Sequence, residues 1–381
     1  MLLLLSTICF AEENFILEIG EPVEVRSAGA WIRTFPTDDG WVATLGSNQS
    51  FYIGDLRKTG DGLADWEMTD KRQIVSQTGL IDHGIRRCPD GTYLHAASAM
   101  LGGNGEQIYL WHYNSAFEVI SSATMNEGNG THAHNDPNVL CSDEWKGVAL
   151  SILGFDFQTD FFSLNDDLSL DEIISMADYP RGNGGGSLVN SEGDILYFGM
   201  SHGNPLQVNR YDGDWNFIEG VELPLVELPL RAYWPQGIVE VGDYYLVVHM
   251  AKDDAWQGSD KGDVFLAILT KDLQLVQTHR ITTYENGEAA MRPWIARQGE
   301  QALISFDAFN EQMIVELKLN LDALGDDGSA SSNSNNNGKE DKENEENEEN
   351  SEKTNKCGCA EAEASFFVSL FLVSLFRRKR H

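Results

Sequence analysis

The sequence predicts an all-β fold: a six-bladed β-propeller closed by an N-terminal strand, followed by a disordered stalk and a short C-terminal hydrophobic helix. Three observations lead there. Residues 14–322 repeat with a period of about fifty residues, the length of a four-stranded blade. Within each repeat apolar residues alternate, turns fall at Gly, Asp and Asn, and no stretch of useful length has the helical period. The sixth repeat is one strand short, and an unpartnered strand stands at the start of the chain.

Residues 2–10 form an apolar run followed by Cys9-Phe10-Ala11, an acceptable signal-peptidase site, so residues 1–11 read as a signal peptide. Ser6-Thr7-Ile8 ahead of Cys9 is not a lipobox, which argues against an N-terminal lipoprotein. Residues 15–25 precede the first full blade. They are expected to supply the missing outermost strand of the sixth, removing the two open edges of a linear row of blades; the alternative is a disordered mature N-terminus.

The turn and second strand of each blade align: Asp39-Gly40-Trp41, Asp90-Gly91-Thr92, Trp145-Lys146-Gly147, Glu192-Gly193-Asp194, Gly242-Asp243-Tyr244 and Gly299-Glu300-Gln301. Outer hairpins recur around Asp212-Gly213-Asp214 and Lys271-Asp272. Cys88 and Cys141 end the innermost strands of two adjacent repeats. Export would permit a bridge between them, provided the strands approach to the Cα spacing a disulfide needs; otherwise they are two small buried thiols.

Residues 325–356 hold Asp, Ser, Asn, Gly, Glu and Lys without an aromatic residue. Such a segment buries too little apolar surface to offset its ordering entropy, so it reads as an extended linker. Residues 364–376 are apolar but reach only about 20 Å as a helix, short of the roughly 30 Å hydrocarbon core. Arg377, Arg378, Lys379 and Arg380 then stop transfer on the cytoplasmic side. With Cys357 and Cys359 ahead of it, residues 357–381 resemble the MYXO-CTERM sorting signal of myxobacterial-type surface proteins. The resemblance implies processing near Cys357 and Cys359 by a dedicated membrane protease, and display on the cell surface or outer membrane. The alternative is an ordinary C-terminal membrane helix.

The formal charge is −33. The stalk, 326–356, holds ten acids against four lysines, so most of the excess belongs to the folded body. That argues against nucleic acid, whose phosphates an acidic surface repels. It suits a solvated surface or cation binding. The chain is expected to be a monomer.

The segments leading into the innermost strands gather much of the His, Arg and Trp content at one rim. They carry Asp82-His83 with Arg86, His132-Ala133-His134-Asn135-Asp136-Pro137, Arg231-Ala232-Tyr233-Trp234-Pro235, and Met291-Arg292-Pro293-Trp294. Loops leaving the second strands add His202, His249 and Asp307. Polar groups beside aromatic platforms suit a sugar pocket, with His83, Arg86, Trp234 and Trp294 as candidate substrate binders. A lone buried histidine is also often a satisfied core group, and His83 fits that description as well. His132, His134 and Asp136 alternate on an extended chain and so share one side, as a divalent cation such as Zn²⁺ requires. The same alternation fits ordinary hydrogen bonding.

Residues 84–94, an apolar strand followed by Cys88-Pro89-Asp90-Gly91, and residues 193–215 resemble blades of the sialidase-like propeller superfamily, which includes propeller polysaccharide lyases. The resemblance implies an extracellular glycan as ligand. A lyase needs a base, for which His134 and His202 are candidates, a carboxylate neutraliser, Arg292, and an acid, Tyr233. A hydrolase needs two carboxylates, such as Asp136 and Asp307. The sequence lacks the Ser-x-Asp-x-Gly-x-Thr-Trp box and an identifiable Tyr–Glu nucleophile pair, which argues against true sialidase activity. The competing reading is a non-enzymatic binding, adhesion or scaffold module with the same rim.

Overall fold

The computed structural model describes residues 14–326 apart from 28–29, 48, 78, 101–105, 126–132, 154–158, 176–184, 200–205, 224–229, 254–261, 285–289 and 309–310. The signal-peptide, stalk and tail expectations, with Cys357 and Cys359, lie outside the described residues, as do His132 and His202. Among the described residues every regular element is a β-strand, and no helix is long and apolar enough to cross a membrane.

Six antiparallel sheets follow one another around an axis. Their innermost strands are Ala30–Thr37, Leu80–Arg87, Ala133–Cys141, Ser187–Val189, Leu230–Val241 and Ala290–Gln298. Each of these six touches the next, and the last touches the first. Alternate side chains of each sheet pack against the neighbouring blades, so the core is a ring of interblade clusters rather than one central mass. The pole at which the chain enters the innermost strands is called upper here, and the opposite pole lower.

The ring closes as expected. Ile16–Ile19 and Val23–Ser27 both pair antiparallel with Glu311–Leu319, the last strand of blade six. A buried polar network clamps the same seam. Glu316 accepts hydrogen bonds from the Trp66 indole (2.8 Å) and the Gln301 amide (2.7 Å), and Lys58 Nζ lies 2.8 Å from its carboxylate. Gln301 Oε1 in turn accepts from the Trp41 indole at 2.7 Å.

Close approach at the axis requires glycine at two points. A Cβ on Gly84 would stand 1.9 Å from Pro137 O, and one on Gly237 would stand 2.5 Å from Ile295 N. The first contact draws blades two and three together. Cys88 and Cys141 are accordingly bridged, with Cα atoms 5.2 Å apart.

The third-to-fourth-strand turns of blades two to five share a feature that composition alone conceals. Phe117, Leu168, Trp215 and Leu273 all have positive φ, between 58° and 67°, and all are buried. Bulky residues rarely accept that conformation. Each turn is fixed by a pair of backbone hydrogen bonds, for example Leu168 N–H to Asn165 O and Asn165 N–H to Ser169 O, both 2.9 Å. Burial of the plugging side chain, about 1.5–3 kcal/mol, offsets a left-handed backbone penalty of roughly 1–2 kcal/mol.

Candidate functional site

Innermost strands of five blades carry a register shift near the upper pole. The shifts lie between Ala30 and Arg33, Leu80 and His83, Asn135 and Asn138, Tyr233 and Gly237, and Met291 and Trp294. β-Bulges re-aim side chains and tolerate proline, and Pro137, Pro235 and Pro293 sit within these segments. The rim segments singled out in the sequence therefore coincide with a ring of bulges.

At the seam of blades six and one, two bulged residues meet. Trp31 and Arg292 have φ of 56° and 53°, and the Arg292 guanidinium lies 4.5 Å from the centre of the Trp31 ring. Asp307, from the second strand of blade six, holds both. Its Oδ2 accepts from Arg292 Nη1 at 2.5 Å and from the Trp31 backbone N–H at 3.1 Å. Asp307 is buried, whereas the Arg292 side chain keeps 19 % of its surface open. Arg33 lies behind, donating to Ile32 O (2.9 Å) and Arg292 O (3.2 Å). One cation, Arg292, thus pairs with the carboxylate, and a second, Arg33, holds the Arg292 backbone carbonyl. Strain of the two left-handed residues persists because the ion pair and the cation–π contact hold them.

His83 packs beside this cluster, its ring 5.3 Å from that of Trp31, but it is 4 % exposed and faces inward. It begins a relay the sequence did not disclose. His83 Nε2 meets Ser47 O at 3.3 Å, its Nδ1 meets His95 Nε2 at 3.1 Å, and His95 Nδ1 meets the Tyr113 hydroxyl at 3.0 Å. One proton assignment satisfies all three contacts for neutral rings. His83 donates from Nε2 to Ser47, His95 donates from Nε2 to His83, and Tyr113 donates to His95. Burial, assisted by Arg33 and Arg292, lowers the His83 pKa to about 4, and burial and His83 hold His95 well below the ordinary value. Both rings stack on Phe51, so the relay is part of the blade one–two core. His83 is thereby occupied in the core rather than open to substrate.

Arg86 and Trp294 are likewise engaged inside the bore. Trp294 Nε1 donates to Thr34 O at 3.1 Å, and the guanidiniums of Arg33 and Arg86 lie 5.3 and 5.7 Å from the indole. Arg86 donates to Val139 O and Ser187 O, stapling blades two, three and four. These side chains fill the waist of the bore. Above it a cavity of about 20 Å³ is lined by Arg33, His83, Asn138 and Trp294; below it lies one of about 80 Å³. The upper cavity has room for about one water and does not admit a sugar ring.

Of the other residues proposed from the sequence, His134 and Asp136 lie on Ala133–Cys141, and Tyr233 and Trp234 on Leu230–Val241, each beside its bulge. Their side chains lie outside what the structure describes. The hydrolase pair of Asp136 and Asp307 has one member, Asp307, already bound to Arg292 and Trp31. No group of three potential metal ligands occurs among the described residues; of the proposed cation set, His132 and the side chains of His134 and Asp136 lie outside them. His249 is buried in its strand, ring-stacked with Phe265 at 5.8 Å.

No protein family matches the sequence, and no curated protein does. Solved structures do. A protein of unknown function from Dyadobacter fermentans superposes with a TM-score of 0.58 at 13% identity, over 80% of this chain and 99% of that one. A subtype N10 neuraminidase-like protein of A/little yellow-shouldered bat/Guatemala gives 0.47 at 12% identity, over 79% and 98%. An exo-β-1,3-galactanase from Phanerochaete chrysosporium gives 0.46 at 10% identity, over 65% and 66%. The first likeness bears on the fold alone.

Proposed function

We propose that this chain is an exported, surface-anchored propeller of the sialidase-like kind that binds a carboxylate-bearing extracellular glycan on its upper rim. The observation that carries the reading is Arg292. It is part-exposed, oriented by Asp307 over the Trp31 ring, and backed by Arg33, a fixed guanidinium fork of the sort that takes a carboxylate bidentately. A pre-oriented, part-exposed cation suits the carboxylate of an acidic sugar, while the buried Trp31 ring fixes the guanidinium from beneath. Export is supported by the Cys88–Cys141 bridge, which belongs to an oxidising compartment. Anchoring rests on residues 357–381 as read from the sequence.

The described part of the rim favours holding a glycan over cutting it. Asp307 is buried and its Oδ2 is held by Arg292 and Trp31, and His83 is buried in the relay, so both are withdrawn from the open rim. Chemistry, if the rim performs it, falls to His134, His202, Tyr233 and Asp136. A glycan array followed by titration calorimetry with uronate-containing and neutral oligosaccharides tests binding. Acidic ligands should bind, and Arg292→Met should weaken them about ten-fold or more, one charged hydrogen bond being worth roughly 1.5–3 kcal/mol. Equal affinity of wild type and Arg292→Met for every acidic glycan would refute the reading. Assays for unsaturated uronates and for new reducing ends on the same ligands separate elimination, hydrolysis and binding alone.

A further inference from the structure

The lower half of the bore carries a charge that the protein does not balance. Arg86 is 8 % exposed, and its guanidinium contacts are the neutral carbonyls of Val139 and Ser187 and the Trp294 ring. Five other part-buried cations differ, although Arg33 in the upper bore also donates to backbone carbonyls, those of Ile32 and Arg292. Lys58, Lys271, Arg280, Arg292 and Arg297 each meet a carboxylate. None of the described Asp or Glu residues forms an ion pair with Arg86, in a chain with 60 of them. Leaving a buried charge uncompensated is among the costliest arrangements a core can hold. The cavity of about 80 Å³ opens beside this residue, walled by Phe35, Leu188, Ile238 and Trp294, with Arg87 and Arg297, which meet Asp38 and Asp326, also on its lining. No acidic side chain lines it. Since one water needs roughly 10–15 Å³ by the same measure, the space holds a small solute.

We propose that the lower bore is a binding site for a small monovalent anion, a halide or a short-chain carboxylate, which completes the charge of Arg86 between apolar walls. Such an anion neutralises the guanidinium where the protein supplies only carbonyl oxygens. It also joins the three blades that Arg86 already links. The site is separate from the upper rim, since the Trp294 waist lies between them, and the proposal stands whether or not a glycan binds above.

Bromide is the probe. Crystals of the full chain grown in sodium bromide should show an anomalous peak within hydrogen-bonding distance of the Arg86 guanidinium, and acetate should displace it. In solution the bromide resonance should broaden with wild-type protein and sharpen on addition of acetate. Leu188→Phe fills the cavity while leaving the Arg86 staple in place. It should abolish both the peak and the acetate-sensitive broadening, and Arg86→Met should do the same if it folds. No bromide peak at Arg86 overturns the proposal, as does broadening that is equal in wild type and Leu188→Phe. Bromide that persists in a folded Arg86→Met variant also overturns it, because the charge would then not be the cause.

Discussion

Glu316, on the last strand of the ring, accepts the indole N–H of Trp66 at 2.8 Å from the opposite side of the seam, 250 residues earlier in the chain. Lys58 and Gln301 complete its coordination. Replacing it with alanine strands three donors at once. Glu316→Ala should lower the unfolding free energy by about 3 kcal/mol, in the range for breaking a buried charged pair. Glu316→Gln should fall between, because it keeps an acceptor for Trp66 but turns an amide N–H toward Lys58 or Gln301. Urea denaturation measures both, and an unchanged midpoint for Glu316→Ala would remove the seam network from the account of ring closure.

His83 and His249 are each held neutral by burial, with pKa lowered from 6.5 to about 4. The unfolded chain therefore binds more protons than the folded one between about pH 6.5 and 4. Stability is complete above that window and is lost as the pH falls through it, by about 3 kcal/mol per residue. Protonating His83 also sets two N–H groups against each other at the His95 contact. The Nδ1 of His249 has no partner among the described residues, so His249→Phe removes one titration without breaking a bond at that nitrogen. Unfolding free energies measured from pH 7 to 4.5 should fall less steeply for His249→Phe, and parallel curves would contradict the assignment.

Leu168 combines a buried side chain with φ of 67°. Leu168→Ala should cost about 2–5 kcal/mol through lost packing. Leu168→Gly loses the same packing yet relieves the left-handed strain, so it should equal or exceed the alanine variant in stability. That order is the reverse of the usual one for glycine and alanine. Thermal unfolding of the two variants decides it.

The Cys88–Cys141 bridge closes a loop with a sequence separation of 53. Loop-closure entropy for that length predicts a loss of roughly 4 kcal/mol on reduction. Reduced wild type and Cys88→Ala/Cys141→Ala should unfold at matching, lower denaturant concentrations, and coincidence with the oxidised protein would show the bridge to be energetically idle.

Asp307→Asn keeps the shape but removes the charge that orients Arg292. Affinity for an acidic glycan should drop several-fold while neutral ligands are unaffected, and calorimetry with both kinds separates this from general loss of fold.

The propeller was legible because its evidence is periodic. Alternation, glycine turns and a strand missing from the sixth repeat are all properties of position along the chain. The N-terminal closing strand followed from that count. The side-chain roles were less legible because they depend on what faces what across blades. Arg86 reads as a rim residue by its neighbours in sequence, yet its strand carries it past the bulge and into the bore. His83 reads as a ligand binder until His95, twelve residues on and paired with Ile85 across the strands, is seen to take its nitrogen. Phe117, Leu168, Trp215 and Leu273 hid because hydrophobic turn residues resemble strand residues. A recurrent Asn, Asp or Thr three positions earlier would have revealed them. Arg292 with Asp307 was within reach, as both were singled out, but only the fold brings them to 2.5 Å.

Closure by the first strand has a consequence in time. Phe15 O accepts a hydrogen bond from the Asn320 N–H, so the earliest and latest parts of the body meet at one point. Blades two to five can assemble from neighbouring segments as they are made. The seam cannot, and Trp41, Lys58 and Trp66 wait for Gln301 and Glu316. The body is therefore an open arc until its last strand has been synthesised and freed, and only then does it lock.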